Sequence, residues 1–208
     1  VISKPLIIGI TGASGVIYGA ELLRVVHELA VPIHLILSEA AVRNFAIETD
    51  YSVEEVRKMA EVVYDNKDMG AAVSSGSFRT RGMIIAPCTV KTLSAIANSF
   101  TYNLMVRAAD VTLKERRPLV LMVRETPLHK GHLDLMRTAA DIGAVILPPI
   151  PAFYHMPKTI MDIVHQSIGK ALDHVGIEHS LFRRWTGATG KDGNPAVDEG
   201  SASYKERT

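Results

Sequence analysis

The residues best suited to chemistry sit where short apolar runs give way to helical patterns. Leu6-Ile7-Ile8-Gly9-Ile10 leads into Thr11-Gly12-Ala13-Ser14-Gly15. Small residues let a backbone turn tightly, and the helix N-terminus that follows offers N–H groups and positive potential to an anion. Ser14 adds a hydroxyl. Glycines at 9, 12 and 15 do not make the G-x-G-x-x-G spacing, which argues against NAD. Without a ligand, the same segment is a tight strand-to-helix turn. The run Ile33-His34-Leu35-Ile36-Leu37 ends at Ser38, whose hydroxyl suits an N-cap or a ligand contact equally. Glu48, later in that helix, is either solvated or functional. Ala86-Pro87-Cys88-Thr89-Val90-Lys91-Thr92 repeats the arrangement, with two hydroxyls and an ammonium that suit a phosphate or an electron-rich ring edge. Cys88 reads as a small apolar residue packed near the sheet.

Other segments carry charge or hydroxyls with plainer alternatives. Ser74-Ser75-Gly76-Ser77-Phe78-Arg79-Thr80 is a surface loop or a loop of donors for an anion. Arg107, Asp110 and Lys114 share one helical face by three- and four-residue spacing, which fits solvated ion pairs. Arg124-Glu125 closes a buried run; Arg can clamp a phosphate or carboxylate and Glu can orient it or move a proton. His129 and His132 lack a third ligand at metal spacing, so no metal is expected. Prolines from Pro148 to Pro157 fix a loop holding Phe153-Tyr154, a phosphate contact or a core or interface aromatic. Lys170 lies on the final helix, and Trp185 reads as an anchor onto the body or a partner subunit.

The elements that must position these residues follow from periodicity. Leu6–Ile10, Ile33–Leu37, Met83–Ala86, Leu119–Val123 and Ala144–Leu147 lack polar alternation and read as strands buried on both faces of a parallel sheet. Between them Ala20, Leu23, Val26 and Leu29, and then Leu133, Met136 and Ala140, mark helical stripes. Ile160, Met161, Val164, Ile168, Leu172 and Val175 mark a last, long helix. Alternating strand and helix predicts an α/β fold: a doubly wound, mostly parallel, Rossmann-like sheet with helices on both faces, in a single domain.

With 208 residues the chain can bury one sizeable core. Its net charge of +1 gives no global signal for nucleic acid or an anionic membrane. A single cysteine rules out a disulfide within the chain and suits a reducing compartment. Without a leader-like or membrane-length apolar segment, the expected location is the cytoplasm. Residues 1–186 read as the domain. Residues 187–208, with several Gly and few apolar residues, read as a tail that is flexible or ordered against a neighbour.

Taken in order, these motifs resemble the UbiX/Pad family of flavin prenyltransferases, from about Leu6 to Gly187. The pieces that carry the likeness are Gly9–Gly15, Ser74–Phe78, Pro87–Leu93, Arg107–Asp110 with Leu113-Lys114-Glu115, Leu121–Leu128 and Pro149–Tyr154. The resemblance implies a flavoprotein in which FMN lies at the carboxyl end of the sheet, in a homododecamer built of trimers. It implies that dimethylallyl monophosphate gives its allyl group to reduced FMN without a metal, and that a UbiD-type decarboxylase receives the product. Matched residue by residue, Gly12, Ala13 and Ser14, then Ser38, then Thr89, Val90, Lys91 and Thr92, and Arg124 correspond to flavin contacts, with Arg107 grouped beside them. Tyr154 and Lys170 correspond to holders of the donor phosphate, and Lys114 and Glu125 to phosphate-site and proton-handling positions. Glu48 corresponds to an acid implicated in the chemistry, and Trp185 to an aromatic near the site. Some relatives have Arg where this chain has Lys170, and most have Ser where it has Thr89.

Two other activities are compatible with such a site. One is an FMN-dependent decarboxylase of the cysteine-decarboxylase group. Those enzymes carry Pro-x-Met-Asn, and Pro151-Ala152-Phe153-Tyr154-His155-Met156-Pro157 lacks the Asn. The other is direct decarboxylation of aromatic acids, for which the sequence offers no separate acid-binding pocket. A catalytically silent flavin-binding subunit is a third possibility.

Overall fold

The computed structural model describes residues 4–185 and Gly187. Six parallel strands are β1 (Leu6–Ile10), β2 (Ile33–Leu37), β3 (Val62–Tyr64), β4 (Gly82–Cys88), β5 (Leu119–Val123) and β6 (Val145–Ile146). Their order is β3-β2-β1-β4-β5-β6. The chain thus winds outward from β1 to one edge, returns beside β1 with β4, and winds to the other edge. Between β1 and β4 the strand order reverses, and at such a switch point the flanking loops part to leave a crevice.

Every residue of β1, β4 and β5 is buried, as continuous apolar runs require when helices cover both faces. Successive side chains point to opposite faces and feed two cores. Leu6, Ile8, Ile10, Ile84 and Val120 pack with helices α1 (Val16–Glu28), α2 (Glu39–Glu48) and α7 (Ile160–His174). Ile7, Met83, Ile85, Leu119 and Leu121 pack with α4 (Val90–Ala97), α5 (Leu104–Lys114) and α6 (Lys130–Asp141). The short helix α3 (Val53–Lys58) adds Val56 to the first core.

Two expectations need correction, and one strand lies where no apolar run marked it. The strand β3 carries no long apolar run, because it is a partly exposed edge that pairs on one side only. On α6 the predicted stripe of Leu133, Met136 and Ala140 is rotated: Leu133 and Ala140 are exposed, while Ala139 is buried and Leu135 and Met136 pack against the core. The helix carries apolar residues on two adjoining stripes, and contact with α4 selects one. On the terminal helices, Leu29 and Ile160 overrun the core and are exposed. The proposed tail of 187–208 lies, apart from Gly187, outside the described residues.

A charged cluster ties α7 to α1. Glu21 is nearly buried and accepts from Arg24 at 2.8 Å and Tyr51 Oη at 2.6 Å, with His165 Nε2 at 3.0 Å. Burial alone would raise its carboxyl, but the hydrogen bonds of Arg24, Tyr51 and His165 outweigh that and hold it below the usual carboxylate range. Burial and the adjacent carboxylate push the Tyr51 phenol up to about 12. No helix among the described residues is long and apolar enough to cross a membrane.

Candidate active site

A crevice of about 850 Å³ opens at the carboxyl ends of β1, β2 and β4. Five of the expected flavin contacts line it together: Gly12, Ser38, Thr89, Lys91 and Thr92. Local rules explain their placement. Ser38 caps α2 by accepting the Ala41 N–H at 3.0 Å, and Thr89 caps α4 by accepting the Thr92 N–H at 3.2 Å. The capping and ligand readings of Ser38 are therefore compatible, since an exposed lone pair remains when a hydroxyl accepts one bond. Gly12 lies so close to α2 that a Cβ there would stand 2.2 Å from the Ala40 Cβ. Only glycine permits that approach, and it leaves backbone facing the crevice.

The first turn differs from expectation in one respect. Glu48 Oε2 accepts the N–H of Gly15 at 2.6 Å and of Val16 at 3.2 Å. The anion at the start of α1 is thus the chain's own carboxylate, which complements the positive end of the helix. Glu48 is neither simply solvated nor remote: it sits against the Gly12-Ala13-Ser14-Gly15 turn. Ser14 is exposed beside it, and Ala13 is half-buried.

Arg124 directly follows β5 and is exposed. Its N–H donates to Cys88 O at 3.1 Å, and its charge opposes the upward pull of burial on the Tyr18 phenol in the first turn of α1. The next residue, Glu125, is exposed, with Oε1 accepting the Thr126 N–H at 3.0 Å. Val90 begins α4 and is half-buried. Cys88 is fully buried and burial pushes its thiol up to about 12, so it packs as an apolar residue rather than a nucleophile.

The remaining expected residues stand outside the crevice walls. Arg107 bonds Ser74 O at 3.1 Å and pairs with Asp110 at 3.2 Å. Lys114 Nζ lies 2.6 Å from Glu115 Oε1. On the far side, the Tyr154 ring meets Trp185 edge-on at 6.1 Å, and both are exposed. Lys170 and Arg184 both approach Asp173, at 3.7 Å and 2.7 Å. No group of three or more His, Cys, Asp or Glu among the described residues could hold a metal ion.

The crevice also uses residues that the sequence did not single out. Thr11 donates its hydroxyl to Pro87 O at 2.7 Å and accepts the Thr89 N–H at 2.9 Å, stitching β1 to β4 at the switch point. Tyr64, Asn66 and Tyr102 form the outer wall. Tyr64 bonds His34 at 2.8 Å, Asn66 accepts the Met105 N–H at 2.9 Å, and Lys91 Nζ lies 5.3 Å from the Tyr102 ring centre. A hydroxyl at a buried strand's end was the available signal for Thr11; the wall residues gave none.

Comparison with known proteins places this geometry. The flavoprotein family model matches residues 2–171. A flavin prenyltransferase UbiX of Thauera aromatica is 56% identical over 182 residues, spanning 88% of this chain and 94% of the relative. The crystal structure of AnUbiX (PadA1) in complex with FMN and dimethylallyl pyrophosphate matches with a TM-score of 0.88 at 44% identity, over 90% of this chain and 100% of that one. A dodecameric FMN-dependent UbiX-like decarboxylase from Escherichia coli O157:H7 matches with a TM-score of 0.85 at 44% identity, over 88% and 100% of the two chains. The likeness holds in sequence as well as in shape, and so this chain belongs to the flavoprotein family, among the flavin prenyltransferases of UbiX type.

Proposed function

We propose that this flavin prenyltransferase transfers the dimethylallyl group of dimethylallyl monophosphate to reduced FMN, and that its product serves a UbiD-type decarboxylase. The observation that carries this reading is the crevice at the switch point, walled by Gly12, Ser38, Thr89, Lys91 and Thr92. These residues fit FMN. A volume near 850 Å³ lies in the range of cofactor sites. Three hydroxyls and the bare backbone of Gly12 suit hydrogen bonding to a flavin and its phosphate. When bound and reduced, the flavin supplies the electron-rich nitrogen and carbon that accept the allyl group.

The chain's own residues have separable tasks. Breaking an allylic C–O bond builds negative charge on phosphate and positive charge on carbon. Lys114, Tyr154, Lys170 and Arg124 are proposed to stabilise the phosphate. Trp185 offers an aromatic face near the allyl cation. Ser14, Glu48 or Glu125 takes the proton released from the ring carbon; Glu48 already lies against the turn that carries Ser14. Arg107 is proposed to support flavin binding from α5, through its hold on the Ser74 carbonyl.

One protomer leaves these donor-handling groups apart, on exposed segments. Ile150, Phe153, Met156 and Ile160 are also exposed, and an exposed apolar surface of this kind suits packing against another copy. The reading therefore includes a homo-oligomer, a dodecamer like the E. coli relative, that brings such groups together. Residues 1–186 act as one flavoprotein domain with 187–208 as a tail, in the reducing cytoplasm where the single buried Cys88 stays a thiol.

The test is anaerobic incubation of the protein with FMN, a reductant and either dimethylallyl monophosphate or the pyrophosphate, followed by mass spectrometry of the flavin. A C5 addition with the monophosphate is expected. An unmodified flavin with both donors, or carbon dioxide released from a hydroxybenzoate by this protein alone, would overturn the reading.

A further inference from the structure

The Ser74-Ser75-Gly76-Ser77-Phe78 loop gains its shape from Arg117, which lies just beyond the end of α5. Helix α5 ends at Lys114, and Arg116 then adopts left-handed backbone at φ 54. Its N–H donates to Leu113 O at 2.8 Å, and the Arg117 N–H donates to Thr112 O at 2.9 Å. This pair of bonds is a Schellman closure. A non-glycine residue holds left-handed backbone only where surrounding contacts compensate. The closure turns the chain so that Arg117 points back under the loop.

The guanidinium of Arg117 then spans the loop. Nη2 donates to Gly76 O at 2.7 Å, and Nη1 donates to Phe78 O at 2.7 Å and lies 3.4 Å from Thr80 Oγ1. Its side chain is only 16% exposed, and Glu115 Oε2 is 4.0 Å away. Arg107 holds the start of the loop at Ser74 O. The loop thus hangs from α5 and its cap by three carbonyls. Its middle presses on the pair Lys114 and Glu115: a Cβ on Gly76 would stand 2.8 Å from Lys114 Nζ and 2.1 Å from Glu115 Oε1. The Gly76 backbone therefore lies against the Lys114 ammonium and bounds the space open to it on that side.

We propose that Arg117 is a positioning residue for the prenyl donor: by gripping the Gly76 and Phe78 carbonyls it fixes the loop that buttresses Lys114. This rests on the reading of Lys114 as a partner of the donor's phosphate. The planar fork of arginine can reach two carbonyls at once, whereas an ammonium is a point charge that cannot hold both at this spacing. Lysine at 117 keeps the charge and loses the grip.

The experiment measures the KM for dimethylallyl monophosphate, kcat and FMN affinity for Arg117→Lys, Gly76→Ala, Lys114→Ala and the double variant Arg117→Lys/Lys114→Ala. Arg117→Lys is expected to raise the donor KM about tenfold while FMN affinity stays within about twofold of wild type. Gly76→Ala, which displaces only the flexible ends of Lys114 and Glu115, is expected to do the same. If Arg117 acts through Lys114, the double variant is no worse than Lys114→Ala alone. An unchanged donor KM in Arg117→Lys, with a raised one in Lys114→Ala, overturns the role of Arg117 and leaves that of Lys114 standing. An unchanged KM in Lys114→Ala overturns the reading of Lys114, and with it the proposal. Additive losses in the double variant overturn the coupling. Should Arg117→Lys fail to fold, Gly76→Ala decides, an unchanged donor KM there overturning the proposal.

Discussion

In the crevice beside β1 and β4, the polar groups already serve the fold. Ser38 and Thr89 cap helices, Thr11 stitches two strands, and Gly12 lets α2 approach. On the opposite flank, Tyr154, Lys170 and Trp185 stand exposed, held by a few ring contacts and one long ion pair. The first region is organised before any ligand arrives, because the bonds that build it also aim it. The second has few contacts of its own to lose. Changes in the crevice should therefore move stability and flavin binding together, and changes among the exposed donor- and proton-handling groups should move donor KM or turnover while stability and flavin affinity hold.

The strongest test is Gly12→Val. Its Cβ would overlap Ala40, so the turn or α2 must shift. Overpacking of this kind costs about 3 kcal/mol; FMN binding should weaken by more than about 100-fold, read by flavin fluorescence, and the melting temperature should fall. Glu125→Gln probes the other class. It should lower prenylation about 100-fold, with FMN affinity and melting temperature unchanged. Near-normal turnover would remove Glu125 from the proton-handling set.

Glu21→Gln lies away from both regions and separates fold from site. Its carboxyl is lowered in the folded state, so its contribution is complete above the unfolded carboxylate pKa and fades as pH falls through the folded one. At neutral pH the variant should lose about 2 kcal/mol, and chemical denaturation should show the gap from wild type closing below roughly pH 4. A gap constant with pH would assign the loss to packing. The mildest change is Thr89→Ala, which removes one cap worth about 1 kcal/mol. It should still weaken FMN binding measurably, since Thr89 also lines the crevice. A loss of stability with flavin affinity intact would leave the Thr89 hydroxyl as a helix cap and remove it from the flavin contacts.

The sheet was legible wherever burial on both faces forced an unbroken apolar run. β1, β2 and β5 begin and end at the residues such runs predict. The edge strand β3 was not, because half of its surroundings is solvent and its composition need not be apolar. Gly12, Ser38, Thr89, Lys91 and Thr92 were legible for a local reason: each stands where a strand hands over to a helix, and such junctions of a parallel sheet share one edge. Tyr64, Asn66 and Tyr102 come from an edge strand and loops, and no neighbour in sequence marks them as walls.

Sequence alone determined the parallel sheet, the helix starts and hence the edge where a ligand can lie, since burial and capping act over a few residues. It could not decide that Glu48 would meet the N–H of Gly15, or that Arg117 would reach under the loop at Gly76. Those contacts join residues more than thirty positions apart. They exist because packed helices bring the groups together, and hydrogen bonds hold over only about 3 Å.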